Sequence, residues 1–353
     1  MSPTVLGLSM LLTAFVLSAA LARWLAGRPA WSRALLDHPN ERSLHAAPVP
    51  RSGGLAVLAG LIAAVALGWI AGLTPDQLPW VTAGALPVAA ISLLDDLGQV
   101  SRRLRFAVHL GAGLILAAGG LVWGALDLPG GLPEGLGGPI WRFPAPVAWL
   151  VTVLFVVWMI NLYNFMDGMD GFAGGMAVFG FGALAVLGWQ GGDPAFALVA
   201  AGIAAAAGFL TSNFPPARLF LGDLGSSTLG LFAAALSLWG ASTGLFPLWV
   251  AWLAFSPFIV DATWTLGRRM LRGERVWEAH RSHHYQRLVL AGWGHRKTVL
   301  RAYVLMAGTT ACAVAAPDLP ASEQWLLLLA WAAIYVLIHV RVRLAEGQRL
   351  PGY

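Results

Sequence analysis

Charge is what this 353-residue chain has least of: Asp, Glu, Lys and Arg make up 11% of it, against 58% hydrophobic residues. Soluble domains give about a quarter of their positions to those four types, so a water-soluble globule is excluded. Cysteine is nearly absent as well. The one thiol, Cys312, lies in an apolar stretch and rules out an intrachain disulfide. No segment alternates as a barrel strand does, and no loop exceeds about 30 residues, which leaves no room for a separate soluble domain. No basic residue precedes the first apolar stretch, so the small residues from Ser18 to Ala22 read as part of a retained anchor rather than a cleaved signal.

What is present is hydrophobic length. Eleven apolar stretches lie near 4–24, 53–73, 80–94, 104–124, 146–163, 172–189, 194–211, 226–240, 247–266, 298–316 and 324–340. Several reach the roughly 20 residues with which a helix crosses a bilayer core. The expected fold is all-α: a polytopic integral membrane protein of about eleven transmembrane helices, forming one domain over residues 1–353. Segments 80–94 and 226–240 are the shortest of these stretches. Lys and Arg accumulate in cytoplasmic loops. With the N-terminus outside and the C-terminus cytoplasmic, every one of the 22 Lys and Arg residues except Arg142 falls on the inner side. The net charge of +5 is spread over membrane-flanking loops, which points to anionic lipid headgroups and away from nucleic acid.

Carboxylates are costly at a membrane boundary and usually serve a function. Here they collect at the inner ends of the apolar stretches. Asp95 and Asp96 are adjacent and must repel unless a cation or a basic partner lies near; Arg102, Arg103 and Arg105 offer the plainer alternative of loop ion pairs. From Asn161 to Asp170 polar residues recur every third position, so a helix would align Asn164, Asp167 and Asp170 toward one cation. Gly222-Asp223-Leu-Gly-Ser226 opens another stretch with an acid between glycines, suited either to a phosphate and its metal or to a simple helix cap. Asp261 stands two turns from Arg268, an arrangement as compatible with a structural ion pair as with catalysis.

Basic and imidazole groups complete the inner side. His280, His283 and His284 would share one face if their loop were helical, for contact with phosphate, for zinc, or merely as a solvated loop. The carboxylate oxygens elsewhere suit magnesium or manganese better than zinc. Arg42 and Arg51 flank a turn-rich segment able to hold an anionic headgroup, or simply to follow the charge bias of inner loops.

Taken together, Asp37-x-Pro-Asn-Glu-Arg42-Ser, Asn161-Leu-Tyr-Asn164-Phe-Met-Asp167-Gly, Gly222-Asp223-x-Gly-Ser226 and Glu278-Ala-His280-Arg281-Ser-His283 resemble the polyprenyl-phosphate N-acetylhexosamine-1-phosphate transferases, most of all the O-antigen-initiating bacterial members. The resemblance covers about 37–287. The chain departs from some members in lacking a further acid just after Asp96, and from others in separating its histidines.

The resemblance implies a multi-pass enzyme of the inner membrane with its site on the cytoplasmic face. It would move an N-acetylhexosamine 1-phosphate from a UDP-sugar (GlcNAc, or GalNAc, FucNAc or QuiNAc) to undecaprenyl phosphate, releasing UMP and starting a lipid-linked glycan for lipopolysaccharide or cell-wall assembly. It implies Mg2+ or Mn2+ as cofactor, Asp223 and Asp167 as metal ligands, and Asp95, Asp96, Asp167 and Asp170 as the catalytic acids. Asn164, His280, Arg281, His283, His284, Arg42 and Arg51 would bind substrate. A phospho-MurNAc-pentapeptide transferase is the alternative within the class, a lipid-linked sugar transporter the one outside it. The sequence leaves a homodimer open.

Overall fold

The computed structural model describes residues 3–28, 35–37, 48–98, 100–131, 141–275 and 280–347. Its helices in chain order are α1 (Pro3–Ala26), α2 (Gly53–Ile70), α3 (Leu78–Leu97), α4 (Arg102–Ala118), α5 (Ala145–Phe165), α6 (Phe172–Gln190), α7 (Pro194–Ala206), the short α8 (Leu210–Asn213), α9 (Gly222–Ser242), α10 (Leu248–Ala254), α11 (Ser256–Leu271), the short α12 (His284–Leu288), α13 (Gly294–Ala315) and α14 (Ala321–Gly347). Two antiparallel pairs of two-residue strands, Leu36–Asp37 with Val49–Pro50 and Ala125–Leu126 with Trp141–Arg142, merely close loops.

Every apolar stretch becomes a helix. Among the described residues nine helical segments are long and apolar enough to cross a membrane, and a bent pair makes a tenth. The protein is therefore a helical, multi-pass membrane protein.

Four stretches differ from expectation for local reasons. The two short ones lengthen, because Asp95–Asp96 and Gly222–Gly225 continue their helices rather than leaving them. Stretch 104–124 ends early, at Ala118, where Gly120 turns to φ +79° and Leu121 bonds back to the Leu116 carbonyl, an ordinary glycine stop. At 17 residues, α4 is about 25 Å long. Stretch 247–266 is broken at Phe255 into α10 and α11, which meet at 86°. Pro257 enters the first turn of α11 without an N–H to give to α10, so the ladder cannot run through.

Helix α9 is the axis of the fold, almost wholly buried, and α3, α5, α2 and α6 pack around it. The start of α9 meets the start of α2 backbone to backbone, at glycines. Gly53 and Gly54 donate their N–H groups to the carbonyls of Phe220 and Leu221 (2.8 and 2.7 Å). A Cβ on Gly54 would come within 2.4 Å of the Gly225 nitrogen, and one on Gly222 within 2.5 Å of the Arg51 carbonyl. This backbone-on-backbone crossing fixes where Asp223 emerges.

Candidate active site

The ends of α3, α5 and α9 lie side by side, and their polar residues bond directly to one another. Asp96, buried at the end of α3, accepts the N–H groups of Asp223 (3.0 Å) and Leu224 (2.9 Å). Those amides begin α9, where no residue of the same helix can satisfy them. A carboxylate is the favoured partner there, since the helix dipole adds to both bonds. Asp96 thus caps a helix 127 residues further along the chain.

Its neighbour Asp95 has different partners. Arg105, in the first turn of α4, donates to Asp95 and, at 3.1 Å, to Asp223. The Val100 amide also donates to Asp95 (2.9 Å). Asn164, in the last turn of α5, gives its amide to Asp223 (2.9 Å) and to Ser226 (3.1 Å). Asp223 is therefore the point on which α3, α4, α5 and α9 converge, and the side chain stays partly exposed.

The expected alignment of Asn164, Asp167 and Asp170 on one helical face does not occur. α5 ends at Phe165, and residues 166–171 form a turn. Two glycines enforce it. A Cβ on Gly168 would lie 2.2 Å from the Tyr285 hydroxyl, and Gly171 takes φ +73° to start α6. Asp167 stays at the acid cluster. Asp170 is led away: its carboxylate pairs with His295 (2.9 Å) and accepts the Ala217 amide (2.9 Å), locking the turn to α13 and to the loop before α9.

Loss of water around Asp167, followed by repulsion from Asp223, Asp96 and Asp170, pushes its carboxyl well above the usual range. Between the ordinary value and that raised one, the folded state keeps a proton the unfolded chain has released, so Asp167 costs stability as pH rises through that window. Asp167→Asn should raise the melting temperature, and by more near pH 8 than near pH 4. Equal shifts at both, or a drop, in thermal melts of the purified protein would show that the carboxyl carries no such strain.

The histidine segment also departs from expectation. Residues 280–283 are not helical, and α12 starts only at His284. What organises them is Asp261, buried in α11. It accepts from the backbone amides of His284 (2.9 Å) and Tyr285 (3.3 Å), pairs with the His284 ring (2.9 Å) and has the His283 ring at 3.5 Å. Asp261 therefore pairs with histidines, not with Arg268, which instead donates to the Ser282 carbonyl (3.3 Å). The second nitrogen of His284 meets His339 of α14 at 2.9 Å. His280 lies over His283, ring centroids 4.8 Å apart, and its Nδ1 accepts the Ser282 hydroxyl (2.8 Å). Burial, with His283 and Arg269 next in effect, lowers His280 to about 4, so its imidazole is neutral at physiological pH. Arg281 is exposed beside it and is the fixed positive charge of the segment. Among the described residues no three acid, imidazole or thiol groups form a ready-made metal cage.

Arg51 is paired with Asp37 (2.7 Å) next to the α2–α9 crossing, and Arg42 and Glu278 lie outside the described residues. Arg105 is the residue whose individual importance the sequence hides, because it stands in a row with Arg102 and Arg103 and only the fold selects it. Asp261 is the other, its partners being 22 to 24 positions away.

Acidic side chains from α3, α9 and the 166–171 turn, joined by Arg105 of α4 and Asn164 of α5 at one end of a helical bundle beside a histidine and arginine segment, suit an enzyme that handles phosphate. Comparison with known proteins agrees. Residues 78–241 match the family model described as glycosyl transferase family 4. A probable undecaprenyl-phosphate N-acetylglucosaminyl 1-phosphate transferase of Bacillus subtilis is 34% identical over 274 residues, covering 76% of this chain and 74% of that one. The decaprenyl-phosphate N-acetylglucosaminephosphotransferase of Mycobacterium tuberculosis H37Rv is 30% identical over 302 residues (76% and 72%). The undecaprenyl-phosphate alpha-N-acetylglucosaminyl 1-phosphate transferase of Escherichia coli K12 is 25% identical over 316 residues (86% and 82%). The chain belongs to glycosyl transferase family 4 and is a membrane transferase of that family.

Proposed function

We propose that the protein transfers an N-acetylhexosamine 1-phosphate from a UDP-linked N-acetylhexosamine to undecaprenyl phosphate at the cytoplasmic face of the inner membrane, releasing UMP. The observation that carries this reading is the convergence of Asp95, Asp96, Asn164 and Arg105 on Asp223. The relatives' names favour GlcNAc as the sugar. Eleven spans, with the N-terminus outside and the site inside, agree with the distribution of arginines.

The chemistry joins two anions, so the site must first offset their repulsion. A phosphate monoester has a second pKa near 6 and is largely ionised at neutral pH, so no strong base is needed. An oxygen of the lipid phosphate attacks the β-phosphorus of the UDP-sugar. The bond from that phosphorus to the bridging oxygen breaks, and UMP leaves with that oxygen. Asp95 orients the lipid phosphate, and Arg105 offsets charge between the two acids. Arg281 contacts the diphosphate as a cation. His280, being neutral, contacts it as a donor through Nε2.

Asp96 and Asp170 act on the site indirectly, one by fixing the start of α9, the other by fixing the 166–171 turn. The donor set fits a magnesium ion, which is bound by one or two carboxylates together with substrate phosphates rather than by an all-protein cage. Asp223 and Asp167 would hold it. Bound there, the ion would neutralise the diphosphate and stabilise the transition state.

The test is to incubate the detergent-solubilised protein with Mg2+, undecaprenyl phosphate and a panel of UDP-sugars that includes UDP-MurNAc-pentapeptide. Equimolar UMP and lipid-linked sugar phosphate are expected, with the anomeric configuration retained because the C1–O bond is never broken. An inverted anomeric centre, or lipid moved between leaflets without UMP, would exclude the reaction.

A further inference from the structure

Beside the histidine segment, α11, α13 and α14 line a cavity of about 350 Å³ that is open on one side. Asp95, Asp96, Asp167 and Asp223 do not line it. Its wall toward the histidine segment is Asp261 with His284, and the other walls are almost entirely apolar, including Val260, Leu305 and Ile338. Two guanidinium groups interrupt them, Arg301 on α13 and Arg341 on α14. Both are exposed, Arg301 in the second turn of α13 and Arg341 two turns before the end of α14. Neither has an acidic partner among the described residues. Arg301 is instead set against the Trp293 ring, 4.2 Å from its centroid, with Lys297 over the same ring at 4.9 Å.

Arginines at the inner end of membrane-spanning helices attract the phosphates of anionic headgroups. An apolar cavity beside them is filled at low cost only by hydrocarbon. The two demands together describe one kind of molecule. We propose that the cavity holds an acyl chain of an anionic glycerophospholipid whose headgroup phosphate rests on Arg301 and Arg341. A free phosphate would leave the apolar walls bare. The polyprenyl phosphate substrate needs its phosphate at Asp223, whereas a phosphate on these arginines would sit beside α13 and α14. Because His284 forms one wall while bonding to Asp261 and to His339 of α14, an occupied cavity would brace the histidine segment from behind.

Native mass spectrometry of the full chain, in detergent with equimolar phosphatidylglycerol and phosphatidylcholine, tests this. Wild type should retain phosphatidylglycerol over phosphatidylcholine by about tenfold, as two arginines near a lipid surface warrant. The double variant Arg301→Gln, Arg341→Gln should lose that preference. Val304→Trp, at a cavity-lining position that is 75% exposed, should block retention while leaving both arginines in place. An unchanged preference in the double variant would overturn the proposal. So would displacement of phosphatidylglycerol by equimolar undecaprenyl phosphate, which would give the cavity to substrate, or by inorganic phosphate, which would remove the role of the tail. Should the double variant aggregate, Val304→Trp decides alone: full retention there overturns the proposal.

Discussion

Asp223→Asn should lower UMP release by about a thousandfold, the usual scale for removing one charged group from a preorganised phosphoryl-transfer site. The carboxylate is the common acceptor of Arg105 and Asn164 and sits at the tip of the most buried helix. An amide in its place keeps the volume, so the protein should still elute as wild type. It loses the charge that Arg105 pairs with and one of the two oxygens that a divalent ion would use. The measurement is turnover at saturating Mg2+, with size-exclusion elution as the folding control. Activity within tenfold of wild type would remove Asp223 from the mechanism.

Asp96→Asn is the second large effect, by a different route. Both carboxylate oxygens of Asp96 accept amides from the start of α9. Asparagine offers one acceptor and turns a donor toward the other N–H, so the charge-assisted pair becomes one neutral bond and one clash of donors. That costs about 2–3 kcal/mol of helix anchoring. The expected result is a loss of about a hundredfold in turnover, with a raised Mg2+ requirement and little change in KM for the UDP-sugar. The split matters. A merely structural Asp96 would lower the yield of folded protein and leave the Mg2+ dependence of the surviving fraction unchanged.

These two neighbours illustrate what a sequence discloses. The adjacent acids, the acid between glycines and the Asn164–Asp167 pair were all visible as charge placed where charge is expensive, and all meet in the fold. Their division of labour was not visible, because Asp96 depends on amides 127 and 128 residues away. Periodicity misled in two places for one reason. A three-residue repeat runs through Asn164, Asp167 and Asp170, and His280, His283 and His284 are spaced for a helix. Helical spacing does not make a helix where Gly168 and Gly171 permit a tight turn, or where Asp261 captures the amides and rings of the next segment. The apolar stretches, by contrast, are legible as helices, though two ends differ by six or seven residues, since hydrophobic length is a local property. The break at Phe255 lies inside one such stretch, where hydropathy is uniform and only Pro257 marks it.

The glycine crossing of α2 and α9 has a mechanical consequence. Backbone rests on backbone there, with no side chain between to change rotamer, so the tip bearing Asp223 has no soft degree of freedom toward α2. The histidine segment is suspended differently, by hydrogen bonds and ring contacts to Asp261 and His339 that can be exchanged one at a time. On the function proposed above, substrate would meet a hard anvil on the acid side, and whatever yielding its arrival requires would come from the imidazole side.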